Sequence, residues 1–503
     1  MNNWLFDHLT ASIQNLERVL IERQDGSKIS GADLLARTAQ FANRLMEFGV
    51  KRGDRVAVQM EKSTDVIMLY LACARVGAIF LPLNTGYTQN ELAYFIGDSS
   101  PALFVCDPLN EAQIKPITTG TKTHLQTLDQ AGGGSFTDQI EKRPTEFDTV
   151  PCGPDDLAAI LYTSGTTGRS KGAMLSHDNL VSNAKTLTEL WRFTANDVLI
   201  HALPVFHTHG LFVATNVSLM AGSQMLFLPK FDVKAIMALM PRATALMGVP
   251  TFYTRLLDEP TLNKDTTKSM RVFISGSAPL LAETHRAFEA RTGHAILERY
   301  GMTETNMNTS NPYDGARVPG TVGFALPGIT IRVVDQATGT MIDRDDIGMI
   351  EVKGPNVFKG YWNMPEKTAS EFTKDGFFIT GDLGMIDGDG YLHIVGRGKD
   401  LIISGGLNIY PKEIEDAIDA IKGVQESAVI GLPHPDFGEA VVAIIVPEKS
   451  TTLAEDTIRD ALKDQLARFK QPKHIAFVDE LPRNTMGKVQ KNRLREEFKA
   501  ITF

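Results

Sequence analysis

The sequence predicts an α/β fold with a large N-terminal domain of stacked, mainly parallel sheets and helices, and a small α+β C-terminal domain. Strand-like and helix-like segments alternate through most of the chain, which is the pattern of parallel sheets with helices on both faces. That pattern changes after residue 382. The length of 503 residues is several times the roughly 100–200 residues of a usual domain, so more than one domain is expected.

The N-terminal elements follow one another in β-α-β order. A helix is predicted at 63–76 because apolar residues dominate this stretch without interruption by proline. The predicted strand at 78–81 ends at Pro82, and the one at 103–106 ends at Asp107-Pro108, since proline cannot donate to the strand ladder. The predicted strands are 55–60, 78–81, 103–106 and 157–162.

A second unit of about one hundred residues is predicted at the C-terminus. The sequence DGDGY at 387–391 is typical of a hairpin turn, and a charged, glycine-flanked segment follows at 396–400. We place the boundary at Lys399, giving domains 1–398 and 399–503, and this segment fits either an ordinary linker or a working hinge. The predicted elements beyond it are 411–421, 427–431, 441–446 and 457–467.

Composition excludes several classes of protein. The formal charge of −9 argues against a nucleic-acid or anionic-membrane binder, which would need a basic surface. Cys73, Cys106 and Cys152 are far apart and lack metal-ligand spacing, so neither a disulfide framework nor a zinc site is expected. The N-terminus lacks the features of a signal peptide, and the apolar run 66–83 is interrupted by Arg75, Gly77 and Pro82. A cytoplasmic protein without a membrane partner is expected.

The strongest local signal is the Gly/Ser/Thr-rich segment 161–172 (LYTSGTTGRSKG), which follows a predicted strand. Glycines let backbone N–H groups turn toward a phosphate, while hydroxyls and a lysine add donors and charge. It is not a Walker A loop, because Ser170 stands where a glycine is required. A Rossmann fingerprint at 396–401 fails at Leu401. A flexible surface loop remains the alternative interpretation.

Later segments carry further groups that suit a nucleotide. The segment 300–304 (YGMTE) offers a hydroxyl and a carboxylate for a hard cation such as Mg²⁺. Asp382 and Arg397 supply an acid and a base for ribose hydroxyls, and 481–488 (LPRNTMGK) ends on a lysine. Taken singly, each has an ordinary interpretation: Thr-Glu often begins a helix, and a lysine in a basic tail is usually solvated.

Together and in this order, these segments resemble the adenylate-forming superfamily, which comprises acyl-CoA synthetases, nonribosomal-peptide adenylation domains and firefly luciferase. The resemblance covers nearly the whole chain and implies a small β-barrel part in the N-terminal domain and a mobile C-terminal domain. Among acyl-CoA synthetases the sequence is most similar to the malonyl-CoA synthetases. The segments that carry this similarity are 204–210 (PVFHTHG), 247–255 (MGVPTFYTR) and 298–308 (ERYGMTETNMN).

The resemblance implies two half-reactions. A carboxylate attacks the α-phosphate of ATP and releases pyrophosphate, and the CoA thiol then attacks the acyl-adenylate and releases AMP. Thr303 is implied to contact the α-phosphate and Glu304 to hold Mg²⁺. The implied ATP-binding residues are Thr163, Ser164, Gly165, Thr166, Thr167, Gly168, Lys171, Ser277, Ala278, Pro279, Glu298, Arg299, Tyr300, Gly301, Met302, Asp382 and Arg397.

The C-terminal domain is implied to serve both steps. Lys488 is the implied catalytic lysine of the first step, and Lys399 is the implied hinge that removes it before CoA enters. After rotation, Ser404, Gly405 and Gly406 would line the pantetheine tunnel, where glycines allow close backbone approach. Acetylation of Lys488 by a lysine acetyltransferase would remove the charge that the first step needs.

The acyl pocket predicts a dicarboxylic acid. The segment 305–310 after Glu304 is polar, whereas pockets for long-chain acids are apolar. A buried second carboxylate needs a partner, and a forked arginine pairs it well, although a structural salt bridge of Arg299 with Glu298 is an open alternative. We expect malonate, and we expect methylmalonate to be tolerated because one methyl group discriminates by only about 1–3 kcal/mol. The implied acyl-pocket residues are His207, which is also a candidate catalytic residue, Arg255, Ser277, Arg299 and Met302.

Other functions remain as alternatives. A ligase for acetate, propionate or a branched acid would share every nucleotide-binding segment. A nonribosomal adenylation domain is disfavoured because no carrier segment follows Phe503. An adenylate-binding protein without thioester activity is disfavoured by Lys488, Glu304 and the two glycines at 405–406, and a luciferase-type oxygenase by the polar acyl segment.

Overall fold

The computed structural model describes residues 2–163, 170–404, 407–449, 451, 453–463, 465–484 and 487–503. Within them, two large sheets are joined by a shared apolar core, and two smaller sheets follow toward the C-terminus. The helices are α1 Trp4–Thr10, α2 Gly31–Glu47, α3 Thr64–Val76, α4 Gln89–Ser99, α5 Glu111–Thr118, α6 His177–Leu190, α7 Asn216–Ala221, α8 Val233–Leu239, α9 Pro250–Leu257, α10 Ala282–Thr292, α11 Pro365–Ser370, α12 Pro411–Asp419, α13 Glu455–Lys463 and α14 Lys491–Glu497.

The first large sheet has six strands in the order β6-β5-β3-β4-β7-β8. Its strands are β3 Arg55–Gln59, β4 Ile79–Pro82, β5 Leu103–Cys106, β6 His124–Thr127, β7 Leu157–Thr163 and β8 Lys171–Ser176. Neighbouring strands are parallel except for the last pair, β7 and β8. The strands and the helix predicted here are confirmed to within one residue at each end.

The second large sheet has nine strands in the order β15-β14-β13-β12-β11-β9-β10-β1-β2. They are β1 Val19–Arg23, β2 Lys28–Ser30, β9 Val198–His201, β10 Gln224–Phe227, β11 Ala245–Gly248, β12 Val272–Ser275, β13 Leu297–Met302, β14 Asn306–Ser310 and β15 Phe324–Ala325. The centre of the sheet is parallel, and antiparallel strands close both edges. The predicted mainly parallel N-terminal sheets are therefore confirmed.

Helix α3 lies in the core that the two large sheets share. Each of its thirteen residues is buried, as expected of a helix that is apolar on all sides. One apolar cluster joins Val56 of β3 and Ile67 of α3 to Ile21 of β1 and Phe227 of β10. The apolar run at 66–83 is thus a core helix followed by a core strand. Among the described residues, no helix combines the length and apolarity needed to cross a membrane.

Two smaller sheets complete the chain. The antiparallel strands β16 Thr330–Val334, β17 Gly348–Lys353, β18 Phe378–Ile386 and β19 Leu392–Arg397 form the third sheet, and the predicted turn at 387–391 joins its last two strands. The fourth contains β20 Ile402–Ser404, β21 Leu407–Ile409, β22 Val424–His434, β23 Gly438–Pro447 and β24 His474–Phe477. In the described residues the implied barrel part contains a four-stranded antiparallel sheet with β16 and β19 at its ends, and Leu392 of β19 also exchanges backbone hydrogen bonds with residues 322–323.

Candidate active site

Two antiparallel strands hold the ends of the predicted phosphate loop. Thr163 at the end of β7 pairs with Lys171 at the start of β8, and the Tyr94 hydroxyl donates to the Ser170 carbonyl oxygen at 2.9 Å. The loop therefore follows an apolar strand, as predicted. The candidate residues Ser164, Gly165, Thr166, Thr167 and Gly168 lie outside the described residues.

Lys171 places a shielded positive charge at the end of this loop. Its Nζ lies 3.1 Å from Oε1 of Glu371 and 4.2 Å from the ring centre of Tyr361. Glu371 also accepts a hydrogen bond from Lys367 at 2.6 Å. The lysine is thus held by an acid and an aromatic face, both suited to a cation.

Thr303 and Glu304 occupy the tip of the hairpin between β13 and β14. A Cβ atom at Gly301 would lie 1.8 Å from the Asn306 carbonyl oxygen, so this tight return requires glycine. Glu304 is buried, and its Oε1 lies 3.1 Å from the Tyr361 hydroxyl. Burial raises the pKa of Glu304. The Thr-Glu pair therefore does not begin a helix. The Glu304 carboxylate has the Tyr361 hydroxyl as a hydrogen-bond neighbour, and its oxygens remain available as ligands.

Asp382 and Arg397 face each other across β18 and β19. Arg397 Nε forms an ion pair with Asp382 Oδ1 at 2.7 Å, and the Tyr300 hydroxyl donates to Oδ2 at 2.6 Å. The negative charge of Asp382 raises the pKa of Arg397. An ionised carboxylate offers about four acceptor positions, so Asp382 keeps capacity for further hydroxyl donors.

Ser277, His207, His209 and Arg299 form a polar cluster. Arg299 lies on β13, Ser277 follows β12, and the two histidines follow β9. Ser277 Oγ lies 3.3 Å from His209 Nδ1, and Ser277 has a φ of 74°, a left-handed backbone that is strained for serine. Burial, followed by the charges of Arg299 and Lys488, lowers the pKa of His207 to about 4. Both histidines are therefore neutral near pH 7, since burial also holds the pKa of His209 well below its usual value.

Arg299 is the unusual member of this cluster. It is 3% exposed, and its Nε and Nη2 have no hydrogen-bond partner among the described residues. A Cβ atom at Gly276 would lie 2.4 Å from its Cζ, so the glycine makes room for the guanidinium. Burial lowers the pKa of Arg299 to about 9. A buried guanidinium without an acid is costly, and it suits an incoming carboxylate.

The proposed ion pair between Glu298 and Arg299 does not form. Glu298 is buried and its Oε1 lies 3.1 Å from His285 Nδ1 on α10, because neighbouring residues of a strand point to opposite faces. The assignment of Glu298 to the ATP-binding residues stays a prediction. Arg255 lies on the exposed face of α9, with its guanidinium carbon 5.8 Å from the Phe231 ring centre. Its role in the acyl pocket stays a prediction.

The segment that carries Lys488 reaches the same region. A Cβ atom at Gly487 would lie 3.4 Å from Thr251 Oγ1 on α9. Desolvation and the charge of Arg397 lower the pKa of Lys488, while the charge of Asp382 opposes them. The Lys488 side chain retains contact with solvent, and it lies near enough to Arg397 and Asp382 for their charges to act on it.

The remaining C-terminal candidates lie along the connection between the third and fourth sheets. Lys399 is in a single 3₁₀ turn, Gly398–Asp400, directly after β19. Asp400 pairs with Arg495 of α14 at 2.7 Å. Ser404 ends β20, whereas Gly405 and Gly406 lie outside the described residues.

Sequence reasoning missed three site residues. His209 lies in the same motif as His207 but was not assigned a role of its own. Tyr361 and Glu371 are distant in sequence from the residues that they contact. The segment 209–215 forms a π-helix, a rare conformation that often marks functional sites, but no residue pattern announces it. Long-range contacts of this kind give no local signal.

Known proteins share this architecture. The model of the AMP-binding enzyme family matches residues 10–362, and that of the AMP-binding enzyme C-terminal domain matches residues 413–488. The crystal structure of ATP-bound MatB from Rhodopseudomonas palustris is 62% identical, covers 99% of both chains and has a TM-score of 0.98. The apo structure of that protein has the same identity and coverage but a TM-score of 0.87.

Curated relatives at lower identity differ in the acid that they are named for. The malonate–CoA ligase of Arabidopsis thaliana is 35% identical, covering 94% of this chain and 82% of its own. A feruloyl-CoA synthase of a Streptomyces species is 34% identical and covers 95% of both chains. Overall similarity at this level therefore does not discriminate between acids, and the side chains of the site must do so.

Proposed function

Since the chain belongs to the AMP-binding enzyme family, we propose that it is an ATP-dependent malonate–CoA ligase. A malonate carboxylate attacks the α-phosphate of ATP, which gives malonyl-adenylate and pyrophosphate. The CoA thiol then attacks the acyl carbon, which gives malonyl-CoA and AMP. Methylmalonate is expected as a second substrate, because one methyl group is worth only about 1–3 kcal/mol of discrimination.

The observation that carries the choice of malonate is the unpaired guanidinium of Arg299. Two of its nitrogens are buried without a partner, and its charge acts on both His207 and His209. The distal carboxylate of malonate would supply the missing acid. Acetate, propionate or ferulate has no second carboxylate, so each would leave a buried charge unpaired in the closed site.

The nucleotide is proposed to bind between the loop at 163–172 and the pair Asp382–Arg397. Lys171 would neutralise the β- and γ-phosphates, and Asp382 would accept from ribose hydroxyls at its free lone pairs. Thr303 would donate its hydroxyl to the α-phosphate. These groups position the reactants and stabilise charge, which is most of what phosphoryl transfer requires.

Glu304 fits a Mg²⁺ ion. Its carboxylate is buried with one hydroxyl neighbour, and no cluster of three or more acidic, histidine or cysteine side chains exists among the described residues. Mg²⁺ is commonly held by one or two carboxylates together with substrate phosphates. When bound, the ion would neutralise charge on the phosphates, while Glu304 holds it and the hairpin of β13 and β14 fixes Glu304.

Lys488 is proposed to bridge the malonate carboxylate and the α-phosphate in the first half-reaction. Its position near Asp382 and Arg397 supports this role, and so does the higher TM-score to an ATP-bound structure than to its apo form. We propose that domain 399–503 then rotates about Lys399 and presents Ser404, Gly405 and Gly406 to the pantetheine arm of CoA. Acetylation of Lys488 would block only the first step.

Pyrophosphate release over a panel of acids, with and without CoA, tests this function. Malonate should give the highest kcat/KM, and malonyl-CoA should form only when CoA is present. Acetate, octanoate and ferulate are the matched monocarboxylates. Turnover of any of these at least equal to that of malonate would refute the proposal.

A further inference from the structure

A continuous chain of contacts joins Lys171 to Glu304 through two residues outside the predicted motifs. Lys171 Nζ is 3.1 Å from Glu371 Oε1, and Glu371 Oε2 is 2.9 Å from the Tyr361 hydroxyl. That hydroxyl is in turn 3.1 Å from Glu304 Oε1. One tyrosine thus touches both the acid that pairs with the loop lysine and the acid proposed to hold Mg²⁺.

The chain of contacts is shielded from solvent. Tyr361 is 2% exposed and Glu304 is 6% exposed, and the side chains of Lys171 and Glu371 are 13% and 19% exposed. Ion pairs in such surroundings are screened less than surface pairs. Although burial opposes them, hydrogen bonds from Lys367 and Tyr361 and the charge of Lys171 lower the pKa of Glu371, so Glu371 carries a charge.

Tyr361 itself is rigidly mounted. Its backbone N–H donates to Thr368 Oγ1 at 2.9 Å, and it forms a β-bridge with Ala173 of β8. Its ring packs edge-on against Phe358 at 4.8 Å between centroids. The same ring lies under the Lys171 ammonium at 4.2 Å. The hydroxyl is therefore fixed in place relative to β7 and β8, the two strands that flank the phosphate loop.

We propose that Tyr361 and Glu371 are positioning residues that set Lys171 and Glu304 at a fixed separation for adenylation. This inference rests on the proposed function. A phenol has one proton and cannot donate fully to two carboxylates at once. The Tyr361 hydroxyl therefore keeps both carboxylates within hydrogen-bond distance, Glu304 on the side that would hold the cation and Glu371 on the side that pairs with Lys171. The two residues thereby couple the metal side of the site to the phosphate loop.

Two substitutions separate this role from a general effect on folding. Tyr361→Phe keeps the ring under Lys171 but removes the hydroxyl, and Glu371→Gln keeps the shape but removes the charge. Lys367→Met is the matched control, because Lys367 also pairs with Glu371 but makes no contact with Tyr361 in the described hydrogen bonds. Glu371→Asp retains the charge and serves as the conservative variant.

The first readout is metal binding, measured by Mn²⁺ electron paramagnetic resonance on enzyme saturated with a non-hydrolysable ATP analogue. Tyr361→Phe should raise the Mn²⁺ dissociation constant by about 10- to 100-fold, as expected when a residue that orients a metal ligand is lost. Lys367→Met should leave it unchanged. This measurement needs no acid, so it stands even if malonate is not the substrate.

The second readout is the rate of each half-reaction. Glu371→Gln should slow adenylation about tenfold by misplacing Lys171, with Glu371→Asp intermediate and thioester formation from pre-made malonyl-adenylate within about twofold of the parent rate. The double variant should be no slower than about the slower single variant, because the two residues act through one contact. Equal slowing of both half-reactions, additive effects, or unchanged Mn²⁺ binding in Tyr361→Phe would each overturn the proposal.

Discussion

Replacing Arg299 with methionine should have opposite effects on stability and on malonate turnover. Burial lowers the pKa of Arg299 from its ordinary value to about 9, which corresponds to a desolvation cost on the order of 5 kcal/mol. The charged form is disfavoured in the folded state, so this cost is complete below pH 9 and fades as the pH rises above it. At pH 7, Arg299→Met should therefore raise the free energy of unfolding of the ligand-free protein by roughly 1–4 kcal/mol.

Turnover should change in the other direction. Leaving one partner of a buried ion pair alone costs about 3–5 kcal/mol, so kcat/KM for malonate should fall by roughly 10²- to 10⁴-fold. Acetate and propionate have no distal carboxylate and should lose far less or gain. Pyrophosphate release with each acid, together with denaturant unfolding without ligand, measures both effects on the same preparation.

Arg286→Met is the matched control, because Arg286 is an exposed arginine on α10 outside the acyl cluster. It should leave both stability and acid preference unchanged. If Arg299→Met lost malonate and acetate turnover equally and also lowered stability, Arg299 would be a structural residue. Retention of malonate kcat/KM within threefold would refute its pairing with the second carboxylate.

Four further outcomes are expected. Lys488→Ala should slow adenylation at least about 100-fold, since it removes the charge that bridges the reacting groups, and should spare thioester formation from malonyl-adenylate; equal slowing of both steps would contradict its role. Lys399→Pro should slow thioester formation more than adenylation, because proline restricts φ at the hinge. Rapid-quench assays of the separate half-reactions distinguish the effects of the two variants. Because burial lowers the pKa of His177 and of His207 to about 4, the unfolded chain takes up protons that the folded one refuses, so the free energy of unfolding should fall as the pH drops from 6.5 toward 4. The same shift predicts a malonate kcat/KM profile without an inflection near pH 6.5, which a pH series on the parent and on His207→Gln would check.

Much of the fold was predictable because local patterns report it directly. The helix α3 and the strands β3, β4 and β5 were placed by apolar runs and by Pro82 and Pro108, which act within a few residues. The hairpin at Thr303–Glu304 was harder. Two residues with the chemistry of a helix start form a turn here because β14 pairs back on β13, which is itself held against β12 in the nine-stranded sheet.

The active site likewise has features that the sequence predicted and features that it did not. By its motifs and spacing, the sequence identified Lys171, Glu304, Asp382, Arg397 and Lys488 as candidates for anion and cation chemistry, because those functional groups are intrinsic to the side chains. The alternation of strand residues could also have separated Glu298 from Arg299. The sequence could not show which charged groups are buried and which of them have a partner, because both properties depend on neighbouring residues in the fold.

The sequence by itself therefore determined the family, the order of the elements and the chemical groups available for adenylation. Only the tertiary structure decided that Arg299 is buried without an acid, that Glu298 instead faces His285, and that Tyr361 joins Glu304 to Glu371. The physical reason is that desolvation and pairing are properties of a packed environment. Residues separated by up to 200 positions, such as Lys171 and Glu371, create that environment only once the chain has folded.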